Sequence, residues 1–430
     1  MDRYKVLENP AWHKAPPVTY LGASDKEKLN DGLCETLFLM ARANQVQAAG
    51  LTDPDQCAKH LQLAMRCNQA AETAAGAERG VRAIWEQRAE LNRLAGNETD
   101  ALTLLEKASK VALRVDRDYF MLGHKYAMEG NFRKALPLLQ EATRQNPRNF
   151  AAWFVRGNCH FEMVQDAQAV GCFNVCVGLQ PNFHWAWYNR GLAYARQRNL
   201  QQAQADFRHT IELQPEVAKL YVSRARIALE LKEPKDAIQD LDKALDLGAP
   251  AYAYFLRARA RMAAGDKAGA KADHAKGLQE EPNDEKSCVE QGLALVNTDP
   301  KRALAAFDKA LEINPRSFEG LQNKAAILSD KFHKDEESEK VLDQAVAWYP
   351  DSVLVRAGRG VLLARRGKRE AAHRDAAEAL LLDTQPVTLY QVANIYALTS
   401  QKSTDDRLKA LQLLAGALRN GFGLACWRRA

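Results

Sequence analysis

One residue pattern returns about every 34 positions along this chain, and no other feature constrains its fold so strongly. One copy reads Trp187, Gly191, Tyr194, Ala203, Phe207, Pro215. The copy before it reads Trp153, Gly157, Ala169, Phe173, Pro181, and the one before that Tyr119, Gly123, Tyr126, Ala135, Ala142, Pro147. A fixed period of this length marks a stack of helical units, none of which buries its apolar face alone. Small residues at the eighth position of each unit (Gly123, Gly157, Gly191, Ala225, Ala258, Gly360) let two helices approach, facing small residues at the twentieth such as Ala135, Ala169 and Ala203. Bulky residues at the fourth and twenty-fourth positions, such as Trp153, Trp187, Phe173 and Phe207, fill the wedges between helices. The closing proline ends the second helix, because it lacks an N–H and disfavours helix in the residue before it.

Period and pattern together resemble the tetratricopeptide repeat (TPR). The resemblance implies an all-α, right-handed α-solenoid (superhelix) of about ten to eleven TPR-like helix pairs. Units start near residues 82, 116, 150, 184, 218, 251, 285, 318, 353 and 387, and the unit at 318 has a longer inter-helix turn, Ser329–Glu337. Residues 1–24 read as an extended N-terminal segment and 25–81 as a hairpin of two long helices, Asp25–Ala49 and Pro54–Ala75. Residues 82–423 form the array, and 424–430 a C-terminal tail.

Composition excludes several classes. Met1–Pro17 has no apolar stretch of the kind a secretory signal needs, and the longest uncharged window, Ala167–Asn189, is broken by Pro181 and polar residues, so no membrane span is expected. The eight cysteines include no C-x-x-C pair. Cys172 and Cys176, one helical turn apart, read as buried thiols and not as metal ligands, which points to a reduced, cytoplasmic setting. The formal charge of +6 is mild, and its most uneven stretch runs through Arg356, Arg359, Arg365, Arg366, Lys368, Arg369 and Arg374. No aromatics interleave these cations, which argues against a single-stranded nucleic acid as partner and for a solvated helix pair.

Arginine recurs at the seventh position: Arg88, Arg156, Arg190, Arg224, Arg257 and Arg359. Four of these are followed sixteen residues later by an aspartate, giving Arg190–Asp206, Arg224–Asp240, Arg257–Asp273 and Arg359–Asp375. The unit at 116 has neither charge, with Leu122 and Leu138 in the two places. Co-occurrence at the offset that joins facing helices predicts structural ion pairs within each unit, in preference to an anion track. Arg88 and Arg156 face Leu104 and Cys172, which leaves their partners undetermined.

In the TPR plan the first helices line a concave wall, and the inward positions predict a partner-binding groove of Phe120, His124, Phe154, Asn158, Trp185, Tyr188, Asn189, Arg226, Tyr252, Phe255 and Arg259. Aromatics mixed with hydrogen-bond donors suit a protein or peptide partner. The stretch 285–386 carries mainly aliphatic residues at the same positions and is passed over.

No catalytic constellation emerges: there is no phosphate-binding G-x-x-x-x-G-K-[ST] loop and no H-E-x-x-H. Catalytic, cofactor and metal residues are accordingly expected to be none. Outside the repeat pattern the chain resembles the C-terminal TPR region of large bacterial serine/threonine protein kinases. Arg3–Trp12, Leu39–Ala43, Ala83–Leu91, Ala152–His160, Leu389–Ala393, Tyr396–Ser400 and Ala417–Gly423 carry that resemblance. It implies a module that presents partners or substrates to a kinase whose catalytic domain is not in this sequence. Those kinases continue with an acidic tail where this chain ends at Ala425–Ala430, so a truncated or frame-shifted end is expected. Three functions compete: a non-enzymatic interaction scaffold, a recruiting fragment of such a kinase, and an RNA-binding helical array.

Overall fold

The computed structural model describes residues 6–7, 12, 16–51, 53–76 and 81–421, and among these there is no strand. Expectations for Arg3–Lys5, the Gly-Phe-Gly stretch beyond Gly421 and the tail 424–430 lie outside the described residues. The chain divides into two compact units, Met1–Pro215 and Glu216–Ala430, each an α-solenoid of paired helices.

In the first unit, α1 (Pro16–Thr19) leads into a long hairpin of α2 (Ala23–Ala49) and α3 (Pro54–Ala75). Where extended backbone was expected, Pro16–Thr19 make one helical turn, since proline's fixed φ suits the start of a helix. Trp12 and Val18 are buried in the core that α2 helps to build, and Arg66 of α3 donates to the Leu7 carbonyl at 2.7 Å. Four pairs follow: α4 (Arg82–Leu94) with α5 (Glu98–Ser109), α6 (Asp116–Met128) with α7 (Phe132–Gln145), α8 (Phe150–Glu162) with α9 (Asp166–Leu179), and α10 (His184–Arg196) with α11 (Leu200–Leu213).

The second unit repeats the plan: α12 (Ala218–Glu230) with α13 (Pro234–Asp246), α14 (Tyr252–Ala263) with α15 (Lys267–Gln279), α16 (Glu285–Leu295) with α17 (Pro300–Ile313), α18 (Phe318–Asp330) with α19 (Asp335–Trp348), α20 (Val353–Arg365) with α21 (Arg369–Leu382), and α22 (Pro386–Thr399) with α23 (Thr404–Arg419). Between α18 and α19 the turn is only Lys331–Lys334, shorter than Ser329–Glu337, because Asp335, Glu336 and Glu337 join the helix as its acidic first turn.

Sequence sets these boundaries locally. Asn149, Asp266, Asp284, Asp299, Ser317, Ser352 and Ser403 each cap a helix by accepting from a backbone N–H of its first turn. Within each unit the first helices of successive pairs touch, α4 with α6 and α6 with α8, then α12 with α14 and α14 with α16, so they form one layer. The second helices pack behind them.

The glycines of that first layer face a different partner from the one the pattern suggested. A Cβ on Gly157 would lie 2.6 Å from the Phe173 ring, on Gly191 3.0 Å from Phe207, and on Gly292 2.5 Å from Phe307. The eighth position thus makes room for the ring of the second helix, and Phe173, Phe207 and Phe307 are fully buried as a result. Burying such a ring is worth about 1.5–3 kcal/mol. The fourth-position rings are less enclosed: Trp153 and Trp187 are half-buried, and their indole N–H groups donate to the Pro147 and Pro181 carbonyls at 2.9 and 2.7 Å. Arg356, at the fourth position of its pair, does the same by donating Nε to the Pro350 carbonyl at 2.6 Å.

Candidate partner-binding faces

On α8 the i, i+4 spacing sets Phe150, Phe154 and Asn158 along one face, and α10 sets Trp185 and Asn189 beside them. The rings form a connected chain. Phe150 and Phe154 stack at 6.0 Å, and Phe183 meets them edge-on at 5.0 and 5.3 Å. His184 continues the chain to Trp185 at 4.8 Å, and burial lowers the His184 imidazole below its ordinary value. Asn189 donates to the Asn158 side-chain oxygen at 2.9 Å, so the two amides tie α10 to α8. At the far end Arg196 lies 3.4 Å over the Phe161 ring and donates Nε to Asp166 at 2.8 Å. Phe150, Phe154, Phe183, His184 and Trp185 are each half-buried, which leaves part of every ring open to solvent.

Four of the expected groove residues do not lie on an open face. Phe120 is 1% exposed, and Tyr188 and Phe255 are 4% exposed. Phe120 joins the core of the first unit, Tyr188 packs on Phe207 at 5.6 Å, and Phe255 fills the slot left by Gly277. Their own helix turns these positions toward the second helix behind. His124 is wedged between Phe38 and Phe120, at 6.3 and 5.9 Å, and its Nδ1 has no hydrogen-bond partner. Burial, with Arg42 adding, pushes its pKa down to about 4, so it is a neutral core ring.

In the second unit Arg226 and Arg259 are exposed and Tyr252 is half-buried. They line a cavity of about 100 Å³ together with Lys286, Glu290 and Glu319. A larger cleft of about 180 Å³ runs past Gln322, Ala326, Leu354, Gly358, Val361 and Arg365. Sequence reasoning passed over both sets beyond residue 284 because it looked for aromatics. The signal present there is the reverse, small residues such as Ala326 and Gly358 that leave space, and charges at the second and sixth positions.

The seventh-position arginines are gripped by protein groups. Arg190 donates to both oxygens of Asp206 at 2.8 and 2.7 Å, Arg224 to Asp240 at 2.8 and 2.6 Å, Arg257 to Asp273 at 2.8 and 2.6 Å, and Arg359 to Asp375 at 2.7 and 2.7 Å. Three also reach back to the preceding pair: Arg190 to Asn174 at 2.8 Å, Arg257 to Asp242 at 2.5 Å and Arg359 to Asp343 at 2.9 Å. Arg156 reaches back to Thr143 at 3.0 Å. Arg88 pairs with Glu72 at 2.6 Å and donates to Asn68 at 2.8 Å. The fourth-position ring lies under the guanidinium, at 4.7 Å for Arg190 over Trp187 and 5.2 Å for Arg156 over Trp153.

Most of the basic stretch is neutralised in the same way. Arg365 pairs with Asp330 at 3.1 Å, Lys368 with Glu339 at 2.6 Å and Arg369 with Asp406 at 2.6 Å, while Arg366 meets Glu336 and Glu339. Little free positive charge remains there for a phosphate backbone. No group of three or more histidine, cysteine or acidic side chains is placed to hold a metal among the described residues. Burial pushes the thiols of Cys159 and Cys176 up to about 12 and that of Cys172 to about 11, the opposite of an activated nucleophile. No helix of the described residues is long and apolar enough to cross a membrane.

No curated protein matches the chain. Among solved structures it is similar to a tetratricopeptide repeat protein from Parabacteroides merdae, with 18% identity, 58% of this chain and 99% of that chain covered, and a TM-score of 0.46. It is similar to MamA from Desulfovibrio magneticus at 20% identity, covering 39% of this chain and 96% of that chain with a TM-score of 0.35. The first TPR of Spaghetti (RPAP3), bound to an HSP90 peptide, is 22% identical over 28% of this chain and 98% of that chain, with a TM-score of 0.27. The tetratricopeptide repeat family itself matches residues 120–175 and 188–252. Over those residues the helix pairs are tetratricopeptide repeats.

Proposed function

We propose that this chain is a non-enzymatic scaffold that holds a protein partner, as an extended peptide or a helix, on the faces of its first helices. The observation that carries the reading is the half-open ring chain Phe150–Phe154–Phe183–His184–Trp185, flanked by the amides of Asn158 and Asn189. Rings offer large contact area at low entropic cost, and adjacent amides can pair with a peptide backbone. The test is a triple substitution of Phe154, Phe183 and Trp185 to alanine, verified first for intact helix by circular dichroism. Tyr188 and Phe255 are left untouched because both are buried. A partner captured by the parent chain should be lost by the variant, and equal capture would remove this face from the reading.

The sequence likeness to TPR regions of bacterial serine/threonine kinases supports a place in bacterial signalling, with the scaffold recruiting partners or substrates for a kinase. A kinase reading frame adjoining the gene would support it, and a flank with none would count against it. Cysteines held as thiols, seven of them free among the described residues, fit a reduced cytoplasmic setting.

A further inference from the structure

We propose that α23 is a self-association surface, on which the α23 of a second copy of this chain lies antiparallel. The helix turns Asp406, Ala410 and Ala417 into its own unit. On its far side Leu408, Leu411 and Leu418 are each more than half exposed, and Ala415 between them is exposed as well. At about 100° per residue these four places fall within roughly 80° of one another, so they form one stripe.

The stripe is particular to α23. In α13 the places two, five and nine residues after the buried Ala237 are Gln239, Asp242 and Asp246, and in α19, after the buried Ser338, they are Lys340, Asp343 and Ala347. The same count from the buried Asp406 gives Leu408, Leu411 and Ala415. No second helix from α5 to α21 has leucine at either of the first two places. A further repeat would not cover the stripe, because Gln239, Asp246, Lys340 and Asp343 stay exposed although another pair follows each of their helices.

The order of residues selects a second copy as the occupant. The stripe's spacing, three, four and three residues, reads the same from either end. An antiparallel α23 therefore sets Leu408 against Leu418 of the second copy and Leu411 against Ala415 of the second copy, and twofold symmetry repeats both contacts. In heptad terms these are alternating a and d places, and the exposed Asp405, Gln412 and Arg419 fall at e. Antiparallel pairing brings e places together, so Asp405 meets Arg419 of the second copy at both ends of the seam. On the other flank the half-buried Leu414 meets its counterpart. A parallel pair would set e against g, where Leu414 and not a carboxylate faces Arg419. The stripe is about 15 Å long at 1.5 Å per residue, so the interface falls below the roughly 1,200 Å² of standard complexes, and a reversible dimer with Kd of about 10–100 μM is expected.

The experiment is sedimentation velocity on the full chain from about 1 to 200 μM, a range that brackets this Kd. The parent should pass from monomer to dimer as concentration rises. Leu411→Glu, verified for intact helix by circular dichroism, should weaken the dimer at least about tenfold, because it sets a charge inside the seam. Leu102→Glu, at a comparably exposed leucine of α5, should stay within about twofold. Asp405→Arg should weaken the dimer about fivefold, the scale of rim ion pairs. Adding Arg419→Asp to the same chain should recover the parent's Kd to within about twofold, since both pairs re-form in reverse. A parent that stays monomeric would overturn the proposal and leave the stripe to residues 422–430 or to a different protein. A dimer that survives Leu411→Glu, an equal loss with Leu102→Glu, or a double reversal that recovers nothing would each overturn it too.

Discussion

Arg190 on α10 holds Asp206 on α11 through both carboxylate oxygens, at 2.8 and 2.7 Å, and its remaining nitrogen reaches Asn174 of the preceding pair at 2.8 Å. One side chain therefore joins three helices. Burial pulls the Arg190 guanidinium down, but the hydrogen bond and charge of Asp206 together outweigh it and raise the group above its ordinary value, so the charge stays fixed. A planar fork with five donors suits this geometry, and lysine does not reproduce it. Lys324 holds the corresponding place in its pair, where Lys340 and not an aspartate follows sixteen residues later, and it makes the backward contact to Asp308 at 2.7 Å.

The two halves of such a clip should differ in weight. Arg359 pairs with Asp375, whose side chain is 3% exposed, and with Asp343, whose side chain is 56% exposed. Replacing Asp375 by asparagine should cost about 3 kcal/mol, because it leaves a charge without its buried partner. Replacing Asp343 should cost less than about 1 kcal/mol, the range of exposed pairs. Urea unfolding of both variants checks the order, and equal losses would show that enclosure does not set the strength of the clip.

Two glycines in the same kind of first helix should respond in opposite directions. Gly157→Ala drives a methyl to within 2.6 Å of the Phe173 ring, which is itself fully buried and has no slack. A loss of about 1–3 kcal/mol is expected from overpacking. Gly358 lies within α20, and nothing would come within 4 Å of its Cβ. There alanine should stabilise by up to about 1 kcal/mol through helix propensity. Thermal melts of the two variants should shift to opposite sides of the parent.

The stacking plan was legible because it rests on positions whose spacing is fixed by the repeat, such as Gly157, Ala169 and Phe173, although the seating of the Phe173 ring against Gly157 was not. The Arg190 to Asp206 contact was legible for the same reason, since the two charges appear and vanish together. Which rings stay open was not. Phe154 and Tyr188 occupy inward positions of adjacent first helices, yet Tyr188 is 4% exposed and Phe154 half-buried. The difference depends on what lies behind each ring. Long-range charge balance was likewise hidden: Arg369 meets Asp406, which is 37 residues away.

Turn strain gives a third test. The second residue after a first helix often takes a left-handed conformation, and glycine supplies it at Gly130, Gly265 and Gly367 with φ of 73°, 87° and 75°. Val164 takes the same step at φ 58° with its side chain 70% exposed, a conformation that a β-branched residue resists. Left-handed backbone costs an L-residue roughly 1–2 kcal/mol, partly offset by the extra freedom of glycine in the unfolded chain. Val164→Gly should therefore gain about 0.5–1 kcal/mol in urea unfolding. A loss would place Val164 in a contact that outweighs its strain.

The last prediction sets two groups of the first unit against each other. Burial holds His124 at about 4, below its ordinary 6.5. Between those values the unfolded chain binds a proton that the folded chain refuses, so this ring makes stability rise with pH and fall on acidification. Glu35, on α2, is pushed up to about 7 from 4.5 by burial, then by Asp116, against Arg117, with Asp31 adding. Between 4.5 and 7 the folded chain keeps a proton that the unfolded chain has released, so this carboxyl makes stability fall as pH rises. From pH 4.5 to 6.5 the two slopes oppose, each up to about 1.4 kcal/mol per pH unit for one proton. The parent should show a shallow profile from this pair. His124→Leu should remove the rising contribution, so its stability relative to the parent declines from pH 4.5 to 6.5. Glu35→Gln should remove the falling one and steepen the rise toward neutral pH. Urea unfolding of the three proteins across pH 4 to 7.5 measures the differences, and superimposable profiles would mean that neither group changes its proton affinity on folding.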